Sequence, residues 1–493
     1  MDAAASADTR TVHIHNAPTE KVLAISDKMA RTTERLEADF SNVETKILRF
    51  PRGLRASGGG GDRYIVPSVV AIGPYHHGRQ HLQKMEEVKL AAAYYFCRDS
   101  GQSPEHVYEK VLSVAGAARG CYDTDDPSLT GLCDADFATM MFLDGCFLLE
   151  YMARDTSPVL LNRMTQSTGP SIEKDIFLLE NQIPWLVLEA LMVTEFMPTD
   201  VHLFVDVMGA KFLPGRAKAK GGWCGRCIPA ALRRWTDESR DGGSTGQYRP
   251  PHLLGLLRFA QVGSMPENKV IITGFPSSLS SSAVELAQIG VRLRQSREPW
   301  FGDMWFRRDL FLFGELSLSP LFLNDVTACW LVNMAAEEAN TSGATRASWW
   351  MVRLDDGFMV SSYLLVLAML MDSDDDVQQL RAKRVLHSTF SNKQALRFFK
   401  GLAQHLRFGG RYVTLLMEID SYKRHRAVRI AIHKLFYNSF KAMTIATLFS
   451  IVGVLVGIFK TLLDNKKHQQ LTSSSSYYCY WSFTLRSINI YII

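Results

Sequence analysis

The sequence predicts a mainly α fold: a large single helical domain with a few short strands, followed by one C-terminal transmembrane helix. Three observations carry this reading. Apolar residues recur at helical spacing along most of the chain, β-branched runs are few and short, and residues 442–459 form 18 consecutive uncharged positions, AMTIATLFSIVGVLVGIF. The boundaries that follow are a flexible segment at 1–44, a helical domain at 45–435 carrying an exposed insertion at 211–246, a membrane helix at 442–463 and a short disordered tail at 464–493.

Composition supports a globular body. With 493 residues, of which 47% are hydrophobic, 21% charged and 11% aromatic, the chain is neither collagen-like, nor mostly disordered, nor polytopic in a membrane. A net charge of +5 with scattered Lys and Arg gives no nucleic-acid groove, so no nucleic-acid partner is expected. The cysteines (Cys97, Cys121, Cys133, Cys146, Cys224, Cys227, Cys329, Cys479) are too dilute for a disulfide scaffold and suit a reducing compartment. Met1 to Thr19 lacks a continuous apolar core, so no secretory signal peptide is expected and the body is placed in the cytosol.

Along the chain, Gly58 to Gly61 reads as a flexible run without the GKS or GKT of a phosphate loop. Tyr64 to Ile72 (YIVPSVVAI) reads as an edge strand or extended segment, because Pro67 cannot donate to a ladder. It leads into GPYHHG, residues Gly73 to Gly78. His81 to Arg98 reads as a helix in which Glu86 precedes Lys89 by three positions, a pair worth tenths of a kcal/mol when exposed.

Ala135 to Arg154 is a stronger helical pattern, with Phe137, Met140, Met141, Leu148 and Tyr151 on one face. Asp144 falls in the middle of that face. A buried carboxylate is costly unless paired, so Asp144 should have a dedicated partner. Ser171 to Val193 continues as helix with a kink or restart forced by Pro184, and Asn181 is positioned to cap the second piece.

Lys211 to Gly246 is rich in Gly, Lys, Arg and Ser without sustained period, which marks the insertion. Further helical patterns run over His252 to Phe259, Ala283 to Leu293, Asn324 to Asn340, Ser361 to Met371, Asp376 to Val385 and Asn392 to His405, with strand-like pieces near Leu310 to Leu323. No fixed-period repeat suggests a solenoid.

The apolar run is the one segment unlike a soluble protein. Its 18 residues cover roughly 27 Å at 1.5 Å each, close to a hydrocarbon core, and Lys460 can snorkel while Thr461 to Leu463 complete the span. Membrane lipid is thus the expected partner of Ala442 to Leu463. Lys423, Arg424, Arg426, Arg429, Lys434 and Lys441 precede it, so the positive-inside rule keeps the body cytoplasmic, with the plasma membrane as the expected location. The sequon Asn340, Thr341, Ser342 provides a check, since glycosylation there would reverse the topology. Gly453 and Gly457 form a GxxxG pair through which a second copy could approach, making a homodimer a candidate.

The motifs that could carry chemistry are weak. WCGRC (Trp223 to Cys227) imitates a dithiol site but lacks the strand before it and the helix after it, and no second CxxC or HxxxH completes a zinc site. His76 and His77 are adjacent and cannot share one metal as i, i+4 imidazoles do, so a turn histidine with hydrogen-bonding duties is expected. Asp144 and Glu180 could be a hydrolase carboxylate pair with His77 as base, yet nothing fixes their separation. No GxSxG elbow, HExxH helix or kinase set occurs. No catalytic, metal-binding or cofactor-binding residue is therefore assigned, and no cofactor is expected.

GPYHHG, the helix with Met85, Glu86 and Lys89, MMFLDGCFLLEYM (Met140 to Met152) and DIFLLENQIPWLVLE (Asp175 to Glu189) together resemble a plant family, the domain of unknown function 247 family, also called UPF 0481. PHLLGLLR (Pro251 to Arg258), AVELAQIGV (Ala283 to Val291), SYLLVLAMLM with DVQQL (Ser362 to Leu380), Arg397 to Phe399 and the terminal apolar helix follow in order, covering about residues 45 to 463. The family-motif residues, of unknown role, are Gly73, Pro74, Tyr75, His76, His77, Glu86, Lys89, Asp144, Gly145, Glu180, Asn181, Gln182 and Pro184.

The resemblance implies a large helical domain, a C-terminal membrane helix and no established activity or cofactor. It also implies an unknown protein partner, some grass relatives being linked to gametophytic self-incompatibility. Asp464 to Ile493 and the WCGRC insertion depart from the family pattern. The expectation is a non-enzymatic, membrane-anchored recognition or signalling protein; the alternatives are a membrane-tethered hydrolase or dithiol oxidoreductase, and a structural tether.

Overall fold

The computed structural model describes residues 25, 27–34, 37, 46–55, 61–123, 125–153, 158–166, 168–192, 201–214, 249–262, 281–308, 313–341, 357–425, 431, 447 and 449–461. The chain divides into two units, Met1–Arg426 and Ala427–Ile493. Of the N-terminal segment read as flexible, the described positions between 25 and 37 are helical and exposed. Most of the 211–246 insertion, with WCGRC, and the tail at 464–493 lie outside the described residues.

The first unit is mainly helical. Its first half holds α1 (Lys84–Asp99), α2 (Pro104–Gly120), α3 (Asp134–Met152), α4 (Gly169–Asp175) and α5 (Trp185–Met192), with α1, α2 and α5 packed around α3. Composition explains the centre: α3 carries Phe137, Met140, Met141, Phe147 and Leu148 and is largely buried beyond its exposed first turn, whereas α2 keeps Val107, Val111, Ala115 and Ala118 on one buried stripe. Starts follow capping chemistry. Ser103 accepts the His106 N–H at 3.2 Å ahead of Pro104, which has no N–H to satisfy.

The second half comprises α6 (Val201–Gly209), α7 (Leu253–Val262), α8 (Ala283–Gln288), β1 (Val291–Gln295), β2 (Trp305–Arg308), β3 (Gly314–Leu318), β4 (Leu321–Leu323), α9 (Asp325–Thr341), α10 (Met359–Leu370), α11 (Asp374–Ala382), β5 (Leu386–Ser388), α12 (Asn392–Ala403) and α13 (Gly410–His425). All residues of α10 are buried, in keeping with its near-continuous apolar sequence, and α9, α12 and α13 pack on it. Capping boxes start α8 (Ser282 with Glu285), α11 (Ser373 with Asp376) and α12 (Ser391 with Gln394). One sheet has the order β1-β3-β2, parallel then antiparallel; the other pairs β4 with β5 in parallel.

Several expectations are corrected. The helix read over Ala283 to Leu293 stops at Gln288, and Gly290 at φ 84° turns the chain into β1, whose Val291 and Leu293 alternate with exposed Arg292 and Arg294. The helix read over Ser171 to Val193 breaks between Asp175 and Trp185, where side-chain amides replace the helical ladder. Tyr64 closes a short 3-10 turn (Gly61–Tyr64), and the residues after it form no strand ladder. Helices α2, α6 and α13 were not marked by the sequence reading.

In the second unit, residues 449–461 are helical and exposed, Phe449 by 74% and Val456 by 62%. Among the described residues no helix is long and apolar enough to cross a membrane. The described part of the expected Ala442 to Leu463 span is residue 447 and residues 449–461, about 20 Å of continuous helix at 1.5 Å per residue. The remainder of that segment lies outside the described residues.

Candidate functional site

The family-motif residues converge where the stretch before α1 crosses α3 and the loop between α4 and α5. Gly73 adopts φ 72°, and a Cβ there would stand 2.4 Å from the Gln182 carbonyl oxygen and 2.9 Å from the Tyr122 hydroxyl. Both the backbone conformation and the space require glycine. Its N–H donates to Asp144 Oδ2 at 2.7 Å, and Lys89 Nζ lies 2.6 Å from Asp144 Oδ1 and 2.7 Å from Glu86 Oε1. This is the partner that the position of Asp144 demanded. The Glu86–Lys89 pair is correspondingly no surface pair, because Lys89 is fully buried. Burial works against the Lys89 ammonium, but the Asp144 and Glu86 carboxylates more than reverse this and raise its pKa.

Glu180 is a second buried anion. Its Oε1 accepts the Phe50 N–H at 2.9 Å and Arg55 at 3.0 Å, and its Oε2 accepts Arg49 at 3.1 Å. Arg49 also makes a two-pronged bond to Asp126, both contacts at 2.8 Å, and lies 4.0 Å over the Tyr75 ring. The Arg49 bonds hold the Asp126 carboxyl well below the usual carboxylate range. His76 is buried with Nε2 3.6 Å from Glu180 Oε2. Burial, followed by the cations Arg79, Arg49 and Arg55, pushes its pKa down to about 3. Neither ring nitrogen makes a hydrogen bond, which corrects the hydrogen-bonding role expected of this turn histidine; His77 is exposed.

The neighbouring amides hold backbone. Asn181 accepts the Ile72 N–H at 2.7 Å and donates to the Val70 and Asp175 carbonyls at 3.1 and 2.9 Å, so it is not a helix cap. Gln182 donates to the carbonyls of Ile176 and Leu178 at 2.8 Å and accepts the Leu254 N–H at 3.0 Å. Asp175 accepts the N–H groups of Ser68, Val69 and Val70, which explains how the strand-like residues before GPYHHG are satisfied without a ladder. Pro184 precedes α5, whose first N–H, from Trp185, goes to Pro251. Gly145 allows α3 to approach α5, since a Cβ would fall 2.4 Å from Leu191 Cδ1.

Chemically, this arrangement is a frame. Asp144 and Glu180, the paired-carboxylate candidates, are occupied by different cations and N–H donors, and His77 points into solvent. Arg49, Arg55, Asp126, Asp175 and Asn333, whose Oδ1 accepts the Leu179 N–H at 2.8 Å, were missed as partners; nothing in their local sequence marks long-range pairing. A second buried cluster links α7, α9 and α10: Glu338 accepts the N–H groups of Val360 and Ser361 at 2.8 Å, and Arg258 lies 3.6 Å from Glu337 and 3.7 Å from Glu338. Burial raises Glu337 to about 6 and Glu338 to about 7, with Arg258 opposing. Among the described residues no group of three or more His, Cys, Asp or Glu is placed to hold a metal ion. The sequon residue Asn340 donates to the Arg49 carbonyl at 3.1 Å near the end of α9.

A mainly helical body locked by buried polar ties between its motif segments is the class that fold and site define. Comparison with known proteins names the group: the family described as "Plant protein of unknown function" (DUF247) matches residues 47–456, and the chain belongs to it. It is similar to UPF0481 protein At3g47200 of Arabidopsis thaliana, 25% identical over 360 residues, which cover 69% of either chain. It is also similar to Putative UPF0481 protein At3g02645 of Arabidopsis thaliana, 29% identical over 168 residues, 33% of this chain and 30% of that one. No solved structure matches the chain.

Proposed function

We propose that the protein is a non-enzymatic, membrane-anchored recognition or signalling protein with its helical body on the cytoplasmic side. The observation that carries this reading is the helical stretch at 449–461, where Phe449, Ile451, Val452, Val454, Leu455, Val456, Ile458 and Phe459 are each more than half exposed. Large apolar side chains around a whole helix need an apolar environment, and a bilayer supplies one along its full length. The wider uncharged run from Ala442 to Phe459 and the basic residues before it fit a span with a cytoplasmic body.

The acids and amides of the frame are committed to internal bonds, which supports a role without turnover. The partner is then a protein, and Gly453 and Gly457, with open space where a Cβ would stand, suit pairing with a second copy. Membranes from cells expressing the full chain, washed with alkaline carbonate, test the anchor. Retention in the pellet, with protease removing the body only when the cytoplasmic face is accessible, is expected. Release by carbonate would overturn it.

A further inference from the structure

The β1-β3-β2 sheet has one face turned to the core and one that is cationic. Register places Leu293, Leu316 and Phe306 in one row on the inner face, with Phe306 against Tyr422 of α13 at 5.5 Å. The opposite face carries the rows Arg292, Glu315, Arg307 and Arg294, Ser317, Trp305. Arg292, Arg294 and Arg307 are exposed, and Glu315 is the acid between them, 3.1 Å from Arg294. Arg292 lies 3.9 Å over the Phe313 ring, a cation–π contact beside β3. Arg297, also exposed, follows β1, whereas Arg308 shares the row of Gly314 and Val291 on the other face.

We propose that this arginine face is a contact surface for anionic phospholipid headgroups. Guanidinium forks match phosphate and carboxylate, and a partly buried indole such as Trp305 suits headgroup depth. An acidic protein or a nucleic acid would meet the same charges. Lipid is favoured by chain continuity: Tyr422, which packs on β2 and donates to the Ile289 carbonyl at 3.4 Å, lies in the last turn of α13. From there the sequence contains no Asp or Glu between residues 421 and 463, while Lys423, Arg424, Arg426, Arg429, Lys434 and Lys441 lead into the apolar run. The inference rests on the reading of that run as a membrane helix, and its test separates the two.

Full-length protein is floated with vesicles of phosphatidylcholine alone or with about a third phosphatidylserine, a composition that supplies the negative surface potential. Wild type should float with both; failure with the neutral vesicles rejects the anchor. In a full-length variant with Val454→Asn, Leu455→Asn and Ile458→Asn, the neutral vesicles should no longer bind while the anionic ones do, less so at high salt. Adding Arg292→Gln, Arg294→Gln and Arg307→Gln should then weaken anionic binding roughly 100-fold, at about 5-fold per arginine, without changing the melting temperature. Glu315→Gln should strengthen it several-fold. Equal binding with and without the three arginines, or stronger retention on polyglutamate or RNA than on anionic vesicles, would overturn the proposal.

Discussion

Lys89 and Asp144, one on α1 and one on α3, meet at 2.6 Å with side-chain exposures of 0% and 1%. Breaking such a pair leaves an uncompensated buried charge, which typically costs about 3–5 kcal/mol. Lys89→Met should lower unfolding free energy by about that amount in urea denaturation, and Asp144→Asn by less, because Glu86 still pairs with Lys89 at 2.7 Å. The double change to Met and Leu should be far less harmful than the sum of the single changes. Additive losses would mean that the two residues act independently.

Gly73 and Gly78 both sit at positive φ, 72° and 76°, but a Cβ at Gly78 meets nothing within 4 Å. Gly78→Ala should therefore cost about 1 kcal/mol from backbone strain alone. Gly73→Ala must also displace the Gln182 carbonyl and should cost at least about 3 kcal/mol, or prevent folding. Thermal melts of the two variants compare them directly, and equal losses would remove steric crowding from the account.

Glu337 has a folded pKa of about 6, above the roughly 4.3 of an unfolded glutamate, because burial penalises its charged form. The folded state therefore holds the proton more tightly. Its contribution is fully present below about pH 4.3 and is lost as pH rises through about 6. Relative to Glu337→Gln, wild type should lose about 2 kcal/mol of stability between pH 4 and 8. A difference independent of pH would show that Glu337 titrates normally.

His252 is neutral by the same logic of burial, with a pKa of about 3 and Nδ1 accepting the Gly255 N–H at 3.2 Å. A depressed histidine gives the opposite sign: stability is lost as pH falls from the unfolded value near 6.5 towards 3. Nuclear magnetic resonance titration should find the His252 ring uncharged at pH 5, and a ring signal titrating near 6.5 would contradict the packing around α7.

Much of the architecture was legible because helical periodicity is local. α1, α3, α9, α10 and α12 announce themselves by apolar spacing, and the conflict of Asp144 with its apolar face pointed to a buried partner. What was not legible depends on distant residues. The run after Asp175 looks helical, yet Gln182 and Asn181 spend their amides on carbonyls of the same loop and on Val70. Tyr64 to Ile72 looks strand-like, yet the N–H groups of Ser68, Val69 and Val70 find a carboxylate on α4 rather than a neighbouring strand. Glu180 has an unremarkable setting in sequence; its arginines come from positions 49 and 55. β1 and β2, rich in Arg, lack the apolar run that marks a buried strand.

Asp144, Asp175 and Asn181 hold the backbone before α1 in a buried frame. Hydrogen exchange at the amides of Val70, Ile72 and Gly73 tests it most directly, because each is outside any helix or strand and is bonded to Asp175, Asn181 or Asp144. The frame predicts protection approaching that of the α3 interior, with Asn181→Ala removing it at Ile72. Exchange of these three amides at the rate of an open loop would contradict it.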